Sequence, residues 1–310
     1  MSILGAQMSI VGGFDRAVLR AHLAGCDCLQ VFTRNTNQWR VRPITPHEPG
    51  RFQAALAKYG IAQTAAHTSY LINLASPDES LWRRSLESFL LELTRAETLG
   101  IPYVITHPGA HMGAGEEVGV ERIAEALNQV LRQARRLRVR CLLENTAGQG
   151  TTLGWSPEHL AAILNRVRDP DRVGVCIDTC HLFAAGFALA KAQEYRRTME
   201  RLSNTFGLQK IMAFHVNDSR RELGSRADRH EHIGRGQIGL DAFRRLLADP
   251  RFRCVPMYLE TPKGQENGED LDVVNLRVLR ELLISPRPAA TGQNRPGPPC
   301  RRCSSRSGPR

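Results

Sequence analysis

Val173-Gly174-Val175-Cys176-Ile177-Asp178-Thr179-Cys180-His181 begins with five apolar or small residues and then turns to carboxylate, hydroxyl, thiol and imidazole. An unbroken apolar run of this length suits a strand covered on both faces, as in a parallel sheet flanked by helices. Seven more runs share its character: Ile3 to Ala6, Cys28 to Phe32, Gln63 to Ala66, Tyr103 to Thr106, Arg140 to Leu143, Ile211 to Phe214 and Pro256 to Leu259. Amphipathic stretches separate them. In Leu81 to Leu99, residues Leu86, Phe89, Leu90 and Leu93 recur at helical spacing, as do Ile123, Leu127, Val130 and Leu131 in Glu117 to Leu137.

Eight strands alternating with helices predict an α/β chain folded as a (β/α)8 TIM barrel, an architecture that takes about 250 residues. The 310 residues, 42% hydrophobic and 24% charged, accommodate one such domain with a sizeable core. The domain is expected over residues 1–284. Residues 285–310, rich in Pro, Gly, Arg and Ser, are expected to form a disordered tail, because they cannot bury enough apolar surface to offset the entropy of ordering. No apolar run is long enough to span a bilayer and no signal-like segment opens the chain, so the sequence reads as soluble and cytoplasmic.

The formal net charge is +11. The tail holds six arginines (Arg287, Arg295, Arg301, Arg302, Arg306, Arg310) and no acid, which leaves +5 for the rest. Such a balance suits a polyanionic partner, because arginine and lysine release counterions when they neutralise phosphates. The eight cysteines do not form a secreted disulfide pattern. Cys141, Cys176 and Cys254 read as small core residues. Cys300 and Cys303 make a single C-x-x-C, half of a zinc knuckle, with no second pair of ligands nearby.

The ends of the apolar runs carry the chemistry. Six of them close on His67, His107, Glu144, Asp178, His215 and Glu260. In a parallel barrel the C-terminal strand ends converge on one face, where active sites are built. His, Asp and Glu together make up about one residue in eight, so six specified hits have a chance probability of roughly a few in a million before any allowance for register. His181 follows Asp178 by three residues, and Asp228-Arg229-His230 places a carboxylate and an imidazole on one side of an extended loop. Nine imidazole and carboxylate donors are too many for one tetrahedral ion and suit a cluster of two or three zinc, manganese or iron ions. His22, His47 and His159 fall in helical or loop stretches and carry no assigned role. His111 and His232 lie near enough to the ligand loops to act as outer partners of the donors.

His67-Thr68-Ser69-Tyr70-Leu71-Ile72-Asn73-Leu74, Glu144-Asn145-Thr146-Ala147-Gly148-Gln149-Gly150, residues 174–181, His215-Val216-Asn217-Asp218-Ser219 and residues 224–234 are very similar to signatures of the endonuclease IV family, and the resemblance runs from about Ile3 to Leu283. It implies a zinc-dependent apurinic/apyrimidinic endonuclease that cuts the phosphodiester 5′ to an abasic site in double-stranded DNA. The products would be a 3′-hydroxyl and a 5′ deoxyribose phosphate, and blocked 3′ ends would be trimmed as well. Three zinc ions are implied: one on His67, His107 and Glu144, a second on Glu144, Asp178, His215 and Glu260, and a third on His181, Asp228 and His230. Glu144, bridging the first two, would be the catalytic carboxylate, and a metal-bridged hydroxide the nucleophile, since clustered cations lower the pKa of water towards roughly 7. The resemblance places DNA contacts at Asn35, Asn37, Trp39, Tyr70 and Leu71, in loops that enter the minor groove and fill the gap at a flipped nucleotide. Trp39 and Tyr70 also read as packing aromatics. Two positions depart from the family: Gln7 stands where histidine is common, and Asn37 where arginine is. The chain is expected to be monomeric.

Two other readings are compatible with parts of this pattern. A metal-dependent sugar isomerase or epimerase also gathers His, Asp and Glu at strand ends but needs only one or two ions, which nine donors exceed. A damage-binding barrel without catalysis would be expected to lack a donor, and none is missing.

Overall fold

The computed structural model describes residues 2–284. The predicted tail, with Cys300 and Cys303, lies outside the described residues. Eight parallel strands, β1 (Ile3–Met8), β2 (Cys28–Phe32), β3 (Gln63–His67), β4 (Tyr103–Thr106), β5 (Arg140–Glu144), β6 (Val173–Asp178), β7 (Ile211–His215) and β8 (Pro256–Leu259), close into a barrel in sequential order, with β8 beside β1. All eight predicted strands are present. β1 continues two residues further than expected, and β3, β5, β6 and β7 include the polar residue that was expected to follow them.

The described residues hold nine α-helices: α1 (Phe14–Leu23), α2 (Glu48–Tyr59), α3 (Glu79–Leu99), α4 (Glu116–Gln133), α5 (Pro157–Arg166), α6 (Thr179–Ala184), α7 (Ala192–Thr205), α8 (Leu240–Ala248) and α9 (Leu271–Ile284). Their ends follow local chemistry. Asp78 caps α3 by accepting from the Leu81 amide at 2.9 Å, and Gly100, with φ of 72°, stops it. Ser156 and Pro157 start α5. α4 ends at Gln133, short of the predicted Leu137, because the chain turns at Ala134 to reach β5.

The core has two parts. The larger packs the inward stripe of each helix against the outer faces of the strands, with Leu86, Phe89 and Leu93 of α3 among its members. Burying each such side chain contributes roughly 1.5–3 kcal/mol. The smaller cluster is Cys28, Ala65, Ile105, Leu142, Cys176, Met212, Ala213 and Tyr258. Seven of these precede by two residues Gln30, His67, His107, Glu144, Asp178, His215 and Glu260. Side chains two apart on a strand share a face, so the apolar cluster is the barrel's interior layer and those seven polar residues form the layer above it. β1 meets the tight packing at Gly5, where a Cβ would lie 1.9 Å from the Cys28 carbonyl oxygen. Cys141 and Cys176 are buried as expected, whereas Cys254 is half-buried in the turn before β8, because that run becomes a strand only at Pro256.

Candidate metal centre

The layer above the interior cluster converges on Glu144, which is fully buried. Its Oε2 lies 3.0 Å from His67 Nε2 and 3.3 Å from His107 Nε2, while Oε1 lies 2.9 Å from His215 Nδ1. The two oxygens thus face different imidazoles. His215 Nδ1 is also 3.2 Å from Glu260 and 3.9 Å from Asp178, completing a group of Glu144, Asp178, His215 and Glu260 whose potential ligand atoms lie within 4.8 Å of one another. His67, His107 and Glu144 make a second such group, and Asp178, His181 and His230 a third. Asp228 joins the last, 3.1 Å from His181 Nε2 and 3.3 Å from His230 Nε2, and the two imidazole nitrogens are 3.4 Å apart. All nine predicted donors therefore come together in one cluster.

The donor set fits divalent cations. Imidazole and carboxylate oxygen are the ligands zinc accepts, and each group offers at least three of them. Cys180 also comes within reach of Asp228 and His230, but burial pushes its thiol up to about 12. Burial opposes charge on Glu144, yet His215 and His107 outweigh it and hold its carboxyl well below the usual range. Likewise His181 outweighs burial at Asp228 and keeps that carboxyl low.

Opposite ring nitrogens fix how each imidazole faces. His67 Nδ1 meets the Thr68 carbonyl at 2.9 Å, His181 Nδ1 the Asn145 carbonyl at 2.9 Å, and His230 Nδ1 the Glu260 carbonyl at 3.0 Å, so all three present Nε2 to the cluster. His215 is reversed. Its Nε2 meets Gln30 Oε1 at 2.8 Å, and Gln30 in turn donates to Glu260 Oε1 at 2.6 Å and to Gln7 Oε1 at 2.9 Å. The carboxylates are held in the same manner. Asp178 Oδ1 accepts from the His181 amide at 2.9 Å, which makes it the cap of α6, and its Oδ2 accepts from Asn217 at 2.7 Å. Gln30, Asn145 and Asn217 were not singled out from the sequence. The available signal for Gln30 was a lone amide in the apolar run Cys28-Leu29-Gln30-Val31-Phe32.

A family model described as "Xylose isomerase-like TIM barrel" matches residues 18–282. A protein named "Probable endonuclease 4" from Geobacter sp. (strain M21) is 45% identical over 283 residues, covering 91% of this chain and 99% of that one. The chain belongs to the endonuclease IV family. Another relative named "Probable endonuclease 4", from Geobacter sulfurreducens, is 47% identical over 280 residues, covering 90% of this chain and 94% of its own. Endonuclease IV from Thermus thermophilus superposes with a TM-score of 0.81 at 35% identity, over 91% of this chain and 98% of that structure. A D-tagatose 3-epimerase-like protein, 19% identical with a TM-score of 0.69, shares the fold over 90% of this chain and 97% of its own.

Of the remaining expected residues, Tyr70 adjoins the centre and the others lie in the loop before it or beside it in sequence. Tyr70 is 59% exposed, its ring centroid 5.8 Å from that of His67 and 6.2 Å from that of His107. Leu71 beside it is half-buried. Asn37 is exposed in a loop whose turn is closed by its amide donating to Asn35 Oδ1 at 2.9 Å. Trp39 is half-buried with the Arg84 guanidinium 4.5 Å from its ring. A buried ion pair supports this loop: Arg34 Nε donates to Glu92 Oε1 at 2.7 Å, and Glu92 also accepts from Thr33 Oγ1 at 2.8 Å and from the Ser69 amide at 3.3 Å. One carboxylate of α3 therefore ties the Asn35–Trp39 loop to the Tyr70–Leu71 loop. His232 meets Asn275 at 3.0 Å, and His111 accepts from the Gly115 amide at 3.1 Å. His22 stacks on Tyr59, and His159 bonds Glu116. Among the described residues no helix is long and apolar enough to cross a membrane.

Proposed function

We propose that this protein is a zinc-dependent DNA-repair endonuclease acting on duplex DNA at abasic sites. The observation that carries the reading is the placement of Glu144, whose two oxygens face separate imidazole sets within a nine-donor cluster, as a carboxylate bridging two cations must. His67, His107 and Glu144 would hold one zinc ion, Glu144, Asp178, His215 and Glu260 a second, and His181, Asp228 and His230 a third. Bound together, such cations lower the pKa of water towards roughly 7 and offset charge on a phosphate and its leaving oxygen. The chain's own residues do the rest. Backbone carbonyls at Thr68, Asn145 and Glu260 orient three imidazoles, Gln30 orients the fourth, and Asn217 holds Asp178. The cut would fall 5′ to the abasic nucleotide, leaving a 3′-hydroxyl and a 5′ deoxyribose phosphate, and blocked 3′ ends would be trimmed at the same centre.

DNA would enter along the loops bearing Asn35, Asn37, Trp39, Tyr70 and Leu71. The exposed Tyr70 ring adjoins the His67 and His107 rings, so a nucleotide stacked on it would have its phosphate beside the first donor group. All nine donors come from one chain, so the centre needs no residue from a second copy, and the protein would act as a monomer. Purified protein should cleave an abasic duplex, spare an undamaged duplex and leave ketose sugars unchanged. Epimerisation of a ketose without DNA cleavage would refute the proposal, and so would tight binding of abasic duplex without turnover in zinc-loaded protein.

A further inference from the structure

Asp218 is fully buried and belongs to none of the donor groups. Its carboxylate accepts four backbone amides: Oδ1 from Ser219 at 2.8 Å and Ile238 at 2.9 Å, Oδ2 from Gly234 at 2.9 Å and Gly236 at 3.1 Å. These amides flank the loop that carries Asp228 and His230. The two arms of the loop are also paired, with Asp218–Ser219 antiparallel to His230–Glu231, the Arg220 amide donating to the Arg229 carbonyl at 2.9 Å, and the Gln237 amide to that of Ser219 at 2.8 Å. The approach at Gly236 leaves no room for a side chain. A Cβ there would sit 2.4 Å from the Ser219 carbonyl oxygen and 2.5 Å from Asp218 Oδ1.

We propose that Asp218 is a positioning residue that clamps both ends of the 219–238 loop and thereby sets Asp228 and His230 at the spacing the third cation requires. The inference rests on the assignment of that cation to His181, Asp228 and His230. Two of the three donors ride on the clamped loop, whereas all donors of the other two groups lie on β3, β5, β6 and β7 or just beyond β4 and β8. An ionised carboxylate matches four N–H donors through its four lone-pair positions. Asparagine at the same place keeps one accepting oxygen and turns an NH2 group against two of the amides. Loss of the clamp should therefore weaken one site and spare two.

The test is titration of the metal-stripped full chain with cobalt(II), for the wild type, Asp218→Asn and Gly236→Ala, counting ions by metal analysis and following the visible absorption of each site. The wild type is expected to take up three ions. In both variants two ions should bind as in the wild type, while the third binds about tenfold to a hundredfold more weakly, the range for loss of an outer-sphere partner. If Asp218→Asn does not fold, Gly236→Ala, which disturbs the same cradle from the opposite wall, decides by the same readout. Three ions held at wild-type affinity in the folded variants, even with a lowered unfolding temperature, would overturn the positioning role alone, as would equal weakening of all three. Fewer than three ions in the wild type would overturn the cation assignment and this inference with it.

Discussion

Nε2 of His215 lies 2.8 Å from Oε1 of Gln30, and this contact turns His215 the opposite way from His67, His107, His181 and His230, which present Nε2 to the centre. Both residues are fully buried, so no water can substitute for the amide oxygen without rearrangement. The same amide donates to Glu260 and to Gln7. Gln7 thus serves as the outer end of a hydrogen-bonded chain that reaches His215 and Glu260.

Gln30→Leu removes the acceptor for His215 and the donor for Glu260 while roughly keeping volume. Affinity for the second cation is expected to fall about tenfold to a hundredfold, with a parallel loss of turnover. Chelator competition followed by metal analysis measures it. Unchanged retention would mean the strands alone hold His215 in place.

Glu144→Gln keeps the shape of the side chain but replaces a bridging carboxylate with a neutral amide. Most turnover on an abasic duplex should disappear while DNA binding stays measurable. Gel-based cleavage beside a binding titration separates the two, and strong cleavage with a full metal complement would show that the bridge is misassigned.

At the rim, Tyr70→Ala should cost at least the roughly 1–3 kcal/mol of one base-stacking contact, and Asn37→Arg should tighten binding by adding charge and a stacking plane. Both effects should be far larger on abasic than on intact duplex, because an intact stack offers no gap to fill. Titrations at fixed salt that give equal changes on the two duplexes would remove the gap-filling role.

Away from the centre, Glu48 accepts from Arg42 Nη2 at 2.6 Å and from the Thr45 amide at 2.7 Å. The Arg42 hydrogen bonds, opposed by burial and aided by Thr45, bring its carboxyl down to about 2 from an ordinary 4.5. A depressed carboxyl contributes stability that is complete above the unfolded value and is lost as pH falls from about 4.5 towards about 2. Glu48→Gln should therefore lower the unfolding temperature near neutral pH, and the gap from wild type should narrow in acid. Melting curves at about pH 7 and about pH 3 test this, and a constant gap would show that the charge on Glu48 is not what matters.

The barrel and the nine side chains that it gathers were legible in the chain because both depend on short-range pattern. An apolar run of about five residues specifies a buried strand, and the first polar residue after it marks the functional face, as at Ile177-Asp178 and Phe214-His215. Strand limits were less legible, since His67, Glu144 and Asp178 continue the hydrogen-bonded ladder although their side chains are polar. By itself the sequence determined the fold class, the nine candidate donors and the family resemblance. Only the tertiary structure decided which nitrogen of each imidazole faces the centre, that Gln30 and Asn217 hold the donors, that Glu92 joins the two rim loops, and that Asp218 gathers four amides from residues as far apart as Ser219 and Ile238. Most of those features are contacts between groups distant along the chain. They form only once barrel closure brings the strand ends and their loops to one place, so apart from the lone amide of Gln30 in its apolar run the sequence gives little sign of them.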